Sequence, residues 1–435
     1  MIRVIEKADR SGREDFIGKL GGRSVALDSS LLADVSAILE DVRQRGDEAL
    51  IDYAARFDGV QLNAFDLRVS VETLQKSADG LDEHVFAALR EAIQNVRTFH
   101  ERQHEQSWTI TNDDGTRLGQ RITPIESVGL YVPGGTAAYP SSVVMNVVPA
   151  QVAGVPRIVV ATPPSTVQKN PAVAAALLEL GVQEVYAVGG AQAIAALAFG
   201  TNTIPRVDKI TGPGNKYVAA AKKLVFGIVG IDSIAGPSEV VIVADESARA
   251  DFVAADLLAQ AEHGEDASAV LITTSDSLAA NVAAAIEQQV SFLPRRTIIE
   301  ASLNNYGAIL VVENISKACE LVNELSPEHL EILTVDNEAV AEEIKHAGAI
   351  FLGPYSPEAV GDYFAGPNHV LPTGRTARFA SALGVYDFIK RTSIVEYSQE
   401  AMQNAAERVA VLAEAERLLG HATSARIRNS KGWAD

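Results

Sequence analysis

Four short patterns in the chain carry side chains able to bind a metal or move a proton. Gln260-Ala261-Glu262-His263 closes a helix-like stretch, 251–264, and the three-residue spacing puts Gln260 and His263 on one face, opposite the apolar stripe of Val253, Leu257 and Ala261. Ser326-Pro327-Glu328-His329-Leu330 sets a carboxylate beside an imidazole at the entrance of a strand-like run, where both can reach one cleft. Glu and His form the usual general acid/base pair because both can be tuned towards neutrality. Gly361-Asp362-Tyr363 through Pro367-Asn368-His369 is too rich in Gly and Pro to be regular, yet it carries Asp, Tyr, Asn and His. Glu416 and His421 stand at the end of a C-terminal helix-like stretch, where a His can complement the helix dipole. Taken singly, each pattern has an ordinary explanation: a solvated helix end, an exposed Glu with a capping His, a surface loop, a dipole partner. Taken together they hold His263, His329, His369 and His421, four of the eight histidines, while His84, His100, His104 and His346 lie in amphipathic helices and read as surface residues. Zinc accepts His nitrogen and Asp or Gln oxygen, with about three or four protein ligands at a catalytic site. With a single cysteine in the chain, His263, His421 and Asp362 are natural candidates.

Three glycine-bearing loops form a second group. Tyr131-Val132-Pro133-Gly134-Gly135-Thr136, Val188-Gly189-Gly190-Ala191-Gln192 and Thr211-Gly212-Pro213-Gly214-Asn215-Lys216 each follow a β-branched run. Glycines there let main-chain N–H groups approach a phosphate ahead of a helix N-terminus. None matches GxGxxG, and GxxxxGK[ST] does not occur. Any one of them is as readily a plain βα turn; three on one sheet edge point to a phosphate-bearing cofactor.

The elements that must position these groups follow from periodicity. From 31 to about 103 the apolar residues recur at helical spacing, as in Leu32, Val35, Ile38, Leu39 and Val42, with a second segment over 85–99. Short β-branched runs then alternate with Ala-rich helical stretches, the mark of βαβ units and a parallel sheet. The first set is 128–132, 157–161, 184–188 and 209–211, with helices over 171–180 and 215–226; the second is 240–244, 269–273, 309–312, 329–334 and 349–352. The expected fold is α/β: two similar, incomplete Rossmann-like parallel-sheet domains with a helical N-terminal region and a C-terminal helical arm. The expected boundaries are 1–120, 121–237, 238–380 and 381–435, with the seam between the α/β halves at Gly236-Pro237. The stretch 401–421 reads as one long Ala/Glu/Leu helix, of a kind that docks on a partner subunit.

Composition narrows the function. Of 435 residues, 47% are hydrophobic and 21% charged, which excludes a disordered scaffold. The 37 basic and 56 acidic residues give a net charge of −19, so the surface repels nucleic acid and anionic lipid. No apolar run is long enough to span a membrane, the charged N-terminus lacks a secretory core, and Cys319 has no partner for a disulfide; a cytoplasmic protein is expected.

The same residues carry a resemblance. Tyr131 through Ser142, Thr211-Gly212-Pro213-Gly214-Asn215, Ala235-Gly236-Pro237-Ser238-Glu239, Gln260-Ala261-Glu262-His263, Ser326-Pro327-Glu328-His329-Leu330-Glu331, and Gly361-Asp362-Tyr363 through His369-Val370-Leu371-Pro372 occur in the order and spacing of the histidinol dehydrogenase family, which the chain resembles over nearly its whole length. The resemblance implies oxidation of L-histidinol through its aldehyde to L-histidine. It implies one zinc per subunit, bound by Gln260, His263, Asp362 and His421, with the substrate's imidazole and amino nitrogens completing the shell. It further implies that Tyr131, Gln192 and Asn215 contact NAD, and that Ser238, His369 and Glu416 line the substrate pocket with the zinc ligands and the Glu328-His329 pair. Members are homodimers with a crossing C-terminal arm, so Glu416 and His421 would serve the neighbouring subunit. Gly264 follows His263 where many members carry an acid, which touches no ligand.

Taking an alcohol to an acid removes four electrons, hence two hydrides to two NAD molecules, with hydration of the aldehyde between. The expected roles are zinc as a template that orients substrate, His329 as acceptor of the hydroxyl proton, and Glu328, raised in pKa by burial, as base for the attacking water. Other readings make different demands on these residues. A zinc hydrolase, with Glu328 activating a metal-bound water, would turn over without NAD. A non-catalytic metal module leaves the Glu328-His329 pair without a role. A related dehydrogenase of another small alcohol, such as a sulfonated diol, should lack Glu416 and His369, and both are present. An aldehyde dehydrogenase using a cysteine nucleophile is excluded, because Cys319 lies mid-helix with no activating neighbour.

Overall fold

The structure, a computed structural model, describes residues 2–22, 29–134 and 139–429. Part of the first glycine loop, Gly135-Thr136 with Ala137 and Ala138, lies outside the described residues. The chain divides into two compact units, one made of Met1–Gln103 with Glu126–Phe388, the other of His104–Ile125 with Ile389–Asp435. In chain order the strands are β1 (Arg3–Ile5), β2 (Trp108–Thr111), β3 (Arg117–Pro124), β4 (Ser127–Tyr131), β5 (Arg157–Thr162), β6 (Glu184–Ala187), β7 (Lys209–Thr211), β8 (Gly230–Ile231), β9 (Glu239–Ala244), β10 (Ser268–Thr273), β11 (Gly307–Val311), β12 (His329–Leu333), β13 (Ala349–Leu352) and β14 (Ile389–Glu396).

The larger unit holds two parallel sheets with the same winding. The first runs β6-β5-β4-β7-β8 and the second β1-β11-β10-β9-β12-β13. Each moves outward over three strands from its central one and then returns to that strand's other side, the order of an incomplete Rossmann sheet. In register, Leu130 of β4 faces Val160 and Thr211, while Val240 of β9 faces Ala269 and His329.

Both faces of each sheet are covered, which is why the strands read as continuous apolar runs rather than alternating ones. On the first sheet, Val35, Leu39 and Val42 of the helix Ser29–Arg45 join Ile194, Leu197 and Val218 on one side. Ile93 and Val96 of the helix Glu83–Glu101 join Val143, Val147 and Leu177 on the other. The N-terminal helices therefore complete the first sheet's two layers, each buried Val or Leu stabilising by about 1.5–3 kcal/mol. The N-terminal segment also gives β1, which pairs with β11 at the edge of the second sheet.

The smaller unit contains an antiparallel sheet, β14-β3-β2, followed by the helices Gln399–Ala415 and Leu419–Ile427. The single helix expected over 401–421 is therefore two. The break falls where Arg417 takes φ 62°, a left-handed conformation that a continuous helix cannot contain. His421 consequently lies in the first turn of the second helix and not in a last turn, so a favourable helix-dipole interaction does not account for it.

Candidate active site

The site lies where the carboxyl end of the first sheet meets the amino end of the second. Its cavity, about 620 Å³, is lined by Pro133 and Gly134 after β4, by Gly212 to Lys216 after β7, by Ser238 ahead of β9, and by His263, Glu328, His329, Asp362 and His369.

The second sheet supplies the acid and imidazole groups. Pro327 and Glu328 lead into β12, whose first residue is His329; both site side chains are buried, at 6% and 4% exposure. Both reach one cleft because β12 is a central strand with β9 beside it. Glu328 Oε2 accepts the Glu239 N–H at 3.0 Å, and His329 Nδ1 lies 3.3 Å from the Glu239 carbonyl. Complete burial pulls the His329 imidazole down to about 4, against the charge of Asp362, which favours the protonated form.

Gln260 and His263 come from the end of the helix Ala250–Ala261. Gln260 is fully buried, and its amide lies between His329 and a carboxylate that sequence reasoning missed, Glu358. With its nitrogen donating to Glu358 Oε2 at 2.9 Å, the amide leaves its oxygen as the atom a cation can take. His263 lies just beyond the helix, its N–H donating to the Gln260 carbonyl at 3.2 Å. Its side chain remains 37% exposed, with Nε2 3.9 Å from Glu358.

Asp362 and Glu358 share a face of the short helix Glu358–Tyr363. Ligand atoms of His263, Glu358 and Asp362 all lie within 4.8 Å of one another. Asp362 Oδ1 is 3.5 Å from His369 Nδ1 and 3.9 Å from His329 Nε2. Burial alone would raise the Asp362 carboxyl, but the bond with His369 and the surrounding imidazoles outweigh it and hold the group below its ordinary value. Glu358 is driven well above the usual carboxylate range by burial first, then by the charges of Asp362 and Glu328. A signal for Glu358 stands in the sequence: Ser356-Pro357-Glu358 repeats Ser326-Pro327-Glu328, four residues ahead of Asp362.

A further pair lies behind these groups. Glu331, two residues after His329, accepts the Glu358 N–H at 2.8 Å, and its carboxyl faces that of Asp256. Burial and that neighbour raise Glu331 well above its ordinary value, and burial raises Asp256 to about 6.

The first sheet gathers the other predicted residues. Tyr131 ends β4 and is buried, its hydroxyl accepting the Gly190 N–H at 3.0 Å; burial pushes the phenol up to about 12. Gln192, buried in the helix Gly190–Phe199, has its side-chain oxygen against Gly190. Asn215 caps the helix Lys216–Val225 by accepting the N–H groups of Tyr217 and Val218 at 3.0 and 3.2 Å. The structure thus brings Gln260, His263, Glu328, His329, Asp362 and His369 into one cluster, with Ser238 on the same cavity wall. Glu416 and His421 belong to the smaller unit, where both are exposed.

A further expectation is overturned. His100 is not a surface residue: it is fully buried, with Nδ1 2.8 Å from Gln103 Oε1 and Nε2 3.4 Å from the Asn368 amide, which also donates to the Met145 carbonyl at 2.6 Å. His100 stands four residues after Val96 and so continues the buried stripe of Leu89, Ile93 and Val96 on the helix's inner face.

The histidinol dehydrogenase family model matches residues 22–429. The chain belongs to the histidinol dehydrogenase family. Histidinol dehydrogenase of Geobacillus kaustophilus is 55% identical over 396 residues, covering 91% of this chain and 93% of the relative. That of Bacillus subtilis is 54% identical over 398 residues with the same coverage. The crystal structure of histidinol dehydrogenase from Elizabethkingia anophelis superposes with a TM-score of 0.92 at 36% identity, covering 98% of each chain. The fold alone is shared with a betaine aldehyde dehydrogenase of Staphylococcus aureus, at TM-score 0.51 and 13% identity, over 82% of this chain and 88% of that one. As a histidinol dehydrogenase family member the chain is an oxidoreductase. Its Cys319 is buried in the helix Ile315–Leu325, with a thiol that burial raises to about 11, unsuited to a nucleophile's role. Among the described residues, no helix is long and apolar enough to cross a membrane.

Proposed function

We propose that this enzyme oxidises L-histidinol through L-histidinal to L-histidine, with NAD as hydride acceptor in both steps and one zinc ion per subunit. The observation that carries the reading is the buried cluster of His263, His329 and His369 with Glu328, Glu358 and Asp362. Acids packed this closely in a buried cavity call for a compensating cation, and the imidazoles beside them carry the nitrogens zinc favours. The donor set fits zinc on the same ground: three side chains with ligand atoms within 4.8 Å of each other, plus the Gln260 oxygen. Gln260, His263 and Asp362 would hold the ion with His421, and Ser238, His369 and Glu416 would line the substrate pocket. Bound there, zinc supplies orientation of a substrate through its nitrogens. Tyr131 and Asn215, at the switch point between β4 and β7, stand where a Rossmann-like sheet accepts a dinucleotide, and Gln192 follows β6 of the same sheet.

The proton work falls to the chain's own residues. Burial keeps the His329 ring neutral at physiological pH, able to take up a proton. The imidazole accepts the hydroxyl proton in each oxidation. Glu328 is oriented by the Glu239 N–H and takes the proton of the water that attacks the aldehyde. A homodimer, in which Glu416 and His421 serve the partner's site, is supported by apolar side chains exposed within the smaller unit: Val395, Leu412 and Leu419 are each more than half exposed. The inert, buried Cys319 suits a cytoplasmic enzyme. We also assign residues 121–237 to the cofactor half and 238–380 to the chemical half, between the N-terminal region 1–120 and the arm 381–435.

The test is to mix purified protein with L-histidinol and NAD and follow NADH. Two equivalents per substrate consumed, abolished by a chelator, are expected; NAD-independent turnover, or one equivalent with histidinal accumulating, would overturn the reading. Glu328→Gln should retain zinc and impair acid formation from histidinal more than hydride loss from histidinol, and equal impairment would count against the division of roles.

A further inference from the structure

The cofactor edge of the first sheet contains a charged pair that the chemistry above does not use. Lys222, midway along the helix Lys216–Val225 and flanked by the buried Ala219, Ala220 and Ala221, is itself buried, its side chain 3% exposed. Its ammonium contacts Asp232, just beyond β8, whose side chain is 5% exposed. Both groups also bind one residue: Lys222 Nζ donates to the Gly212 carbonyl at 3.0 Å, and the Gly212 N–H donates to Asp232 Oδ2 at 2.8 Å. The pair therefore brackets Gly212 from both ends. The third side is closed by β4: Gly212 has φ +110°, and a Cβ there would lie 2.2 Å from the Tyr131 carbonyl oxygen.

A helix position among buried alanines is filled more simply by an apolar residue, since a buried ion pair recovers little more than its own desolvation cost. What an apolar pair cannot do is hold both backbone polar groups of Gly212. That residue starts the turn Gly212-Pro213-Gly214-Asn215 on the cavity wall, where Lys222 and Asp232 also reach the lining. Asn215 spends its side-chain oxygen on capping, so its amide NH2 and the turn's backbone are what it can offer a ligand.

We infer that Lys222 and Asp232 are positioning residues for the dinucleotide, fixing the Gly212–Asn215 turn against Tyr131 so that the cofactor meets a preformed surface. The inference rests on the reading that the first sheet binds NAD. Neither residue touches the reacting atoms, so their loss weakens cofactor binding and leaves the metal-bearing half of the cavity intact.

The test uses the zinc-loaded enzyme and three variants: Lys222→Met, Asp232→Asn, and the double variant Lys222→Met with Asp232→Leu, which replaces the pair by apolar volume and remains folded if a single change leaves an unpaired charge. NADH binding is measured by fluorescence titration without substrate, alongside KM for NAD, KM for histidinol and zinc content. The expected result is a rise of tenfold or more in the NADH Kd and in KM for NAD, with the histidinol KM and zinc content within twofold of the parent. Asp232→Asn, which keeps an acceptor for the Gly212 N–H, should show the smallest effect. A folded double variant with the parent's NADH Kd would overturn the inference, as would equal losses in cofactor binding, histidinol KM and zinc. Failure of the parent enzyme itself to bind NADH would instead refute the cofactor reading.

Discussion

Replacing Asp256 by Asn isolates the buried acid pair behind the site. Asp256 stands on the helix that carries Gln260, and its carboxyl faces Glu331, which in turn receives the N–H of Glu358. Glu331 Oε2 has no hydrogen-bond donor while both acids are ionised, so the pair is held together by retaining a proton. Burial raises Asp256 from 3.8 to about 6. A carboxyl whose folded pKa is raised holds its proton more tightly when folded, so stability is lost as pH climbs from the unfolded value to the folded one. The shift of roughly two units corresponds to about 3 kcal/mol at 1.4 kcal/mol per unit, reduced to about 2 kcal/mol by the partial exposure of Asp256. An Asn at 256 donates its NH2 to Glu331 at every pH and escapes that cost. Asp256→Asn should therefore unfold at a higher temperature than the parent at pH 8, by an amount equivalent to about 2 kcal/mol, with the difference closing between pH 6 and pH 4. Thermal midpoints at half-unit pH steps, followed by circular dichroism, measure it. A gain independent of pH, or a variant less stable than the parent at pH 8, would refute the shared-proton account.

Three further outcomes follow from the same geometry. Gly212→Ala forces a side chain into φ +110° against the Tyr131 carbonyl and should cost about 1–3 kcal/mol of stability while weakening NADH binding; both are read on the purified variant. His100→Leu removes the buried ring beside Gln103 and Asn368 and should destabilise by about 1–3 kcal/mol, raising KM for histidinol through the 366–369 loop without changing NADH affinity. His263→Asn or His421→Asn should lower zinc content by elemental analysis, and full retention would refute the ligand set.

The winding of the two sheets was legible because strands covered on both faces are apolar throughout: 128–132, 157–161 and 184–188 in the first sheet and 240–244, 269–273 and 309–312 in the second each fall on a strand. What escaped notice lacked that signal. β2 is exposed along its length and β8 is two residues long. The C-terminal helix was extended through Arg417 because composition does not mark a left-handed residue when it is not glycine. His100 reads as a surface residue because its type is polar, yet it continues the buried stripe of Leu89, Ile93 and Val96, and the Asn368 amide beside its ring lies 268 positions away in sequence. Motifs led to Gln260, His263, Glu328, His329, Asp362 and His369; the residues that orient them, Glu358, Glu331, Asp256 and Glu239, are recognised by what they touch.

The position of the cavity explains why the strongest motif sits at the start of a strand. Ligands of an open α/β sheet gather beyond its carboxyl ends, as Tyr131, Gly190 and Asn215 do for the first sheet. The second sheet does the reverse: Ser238 precedes β9, and Glu328 and His329 open β12. With one sheet's carboxyl end facing the other's amino end, the glycine turns can present a dinucleotide from one side while the acids and imidazoles act from the other. The arrangement also accounts for the charge. The first sheet's side of the cavity is lined by the glycine turn Gly212 to Lys216, whereas the second sheet's entrance concentrates Glu328 and Asp362 beside His263, His329 and His369. On the proposed reading the dinucleotide and the cation take opposite walls, and the substrate is left the gap between them.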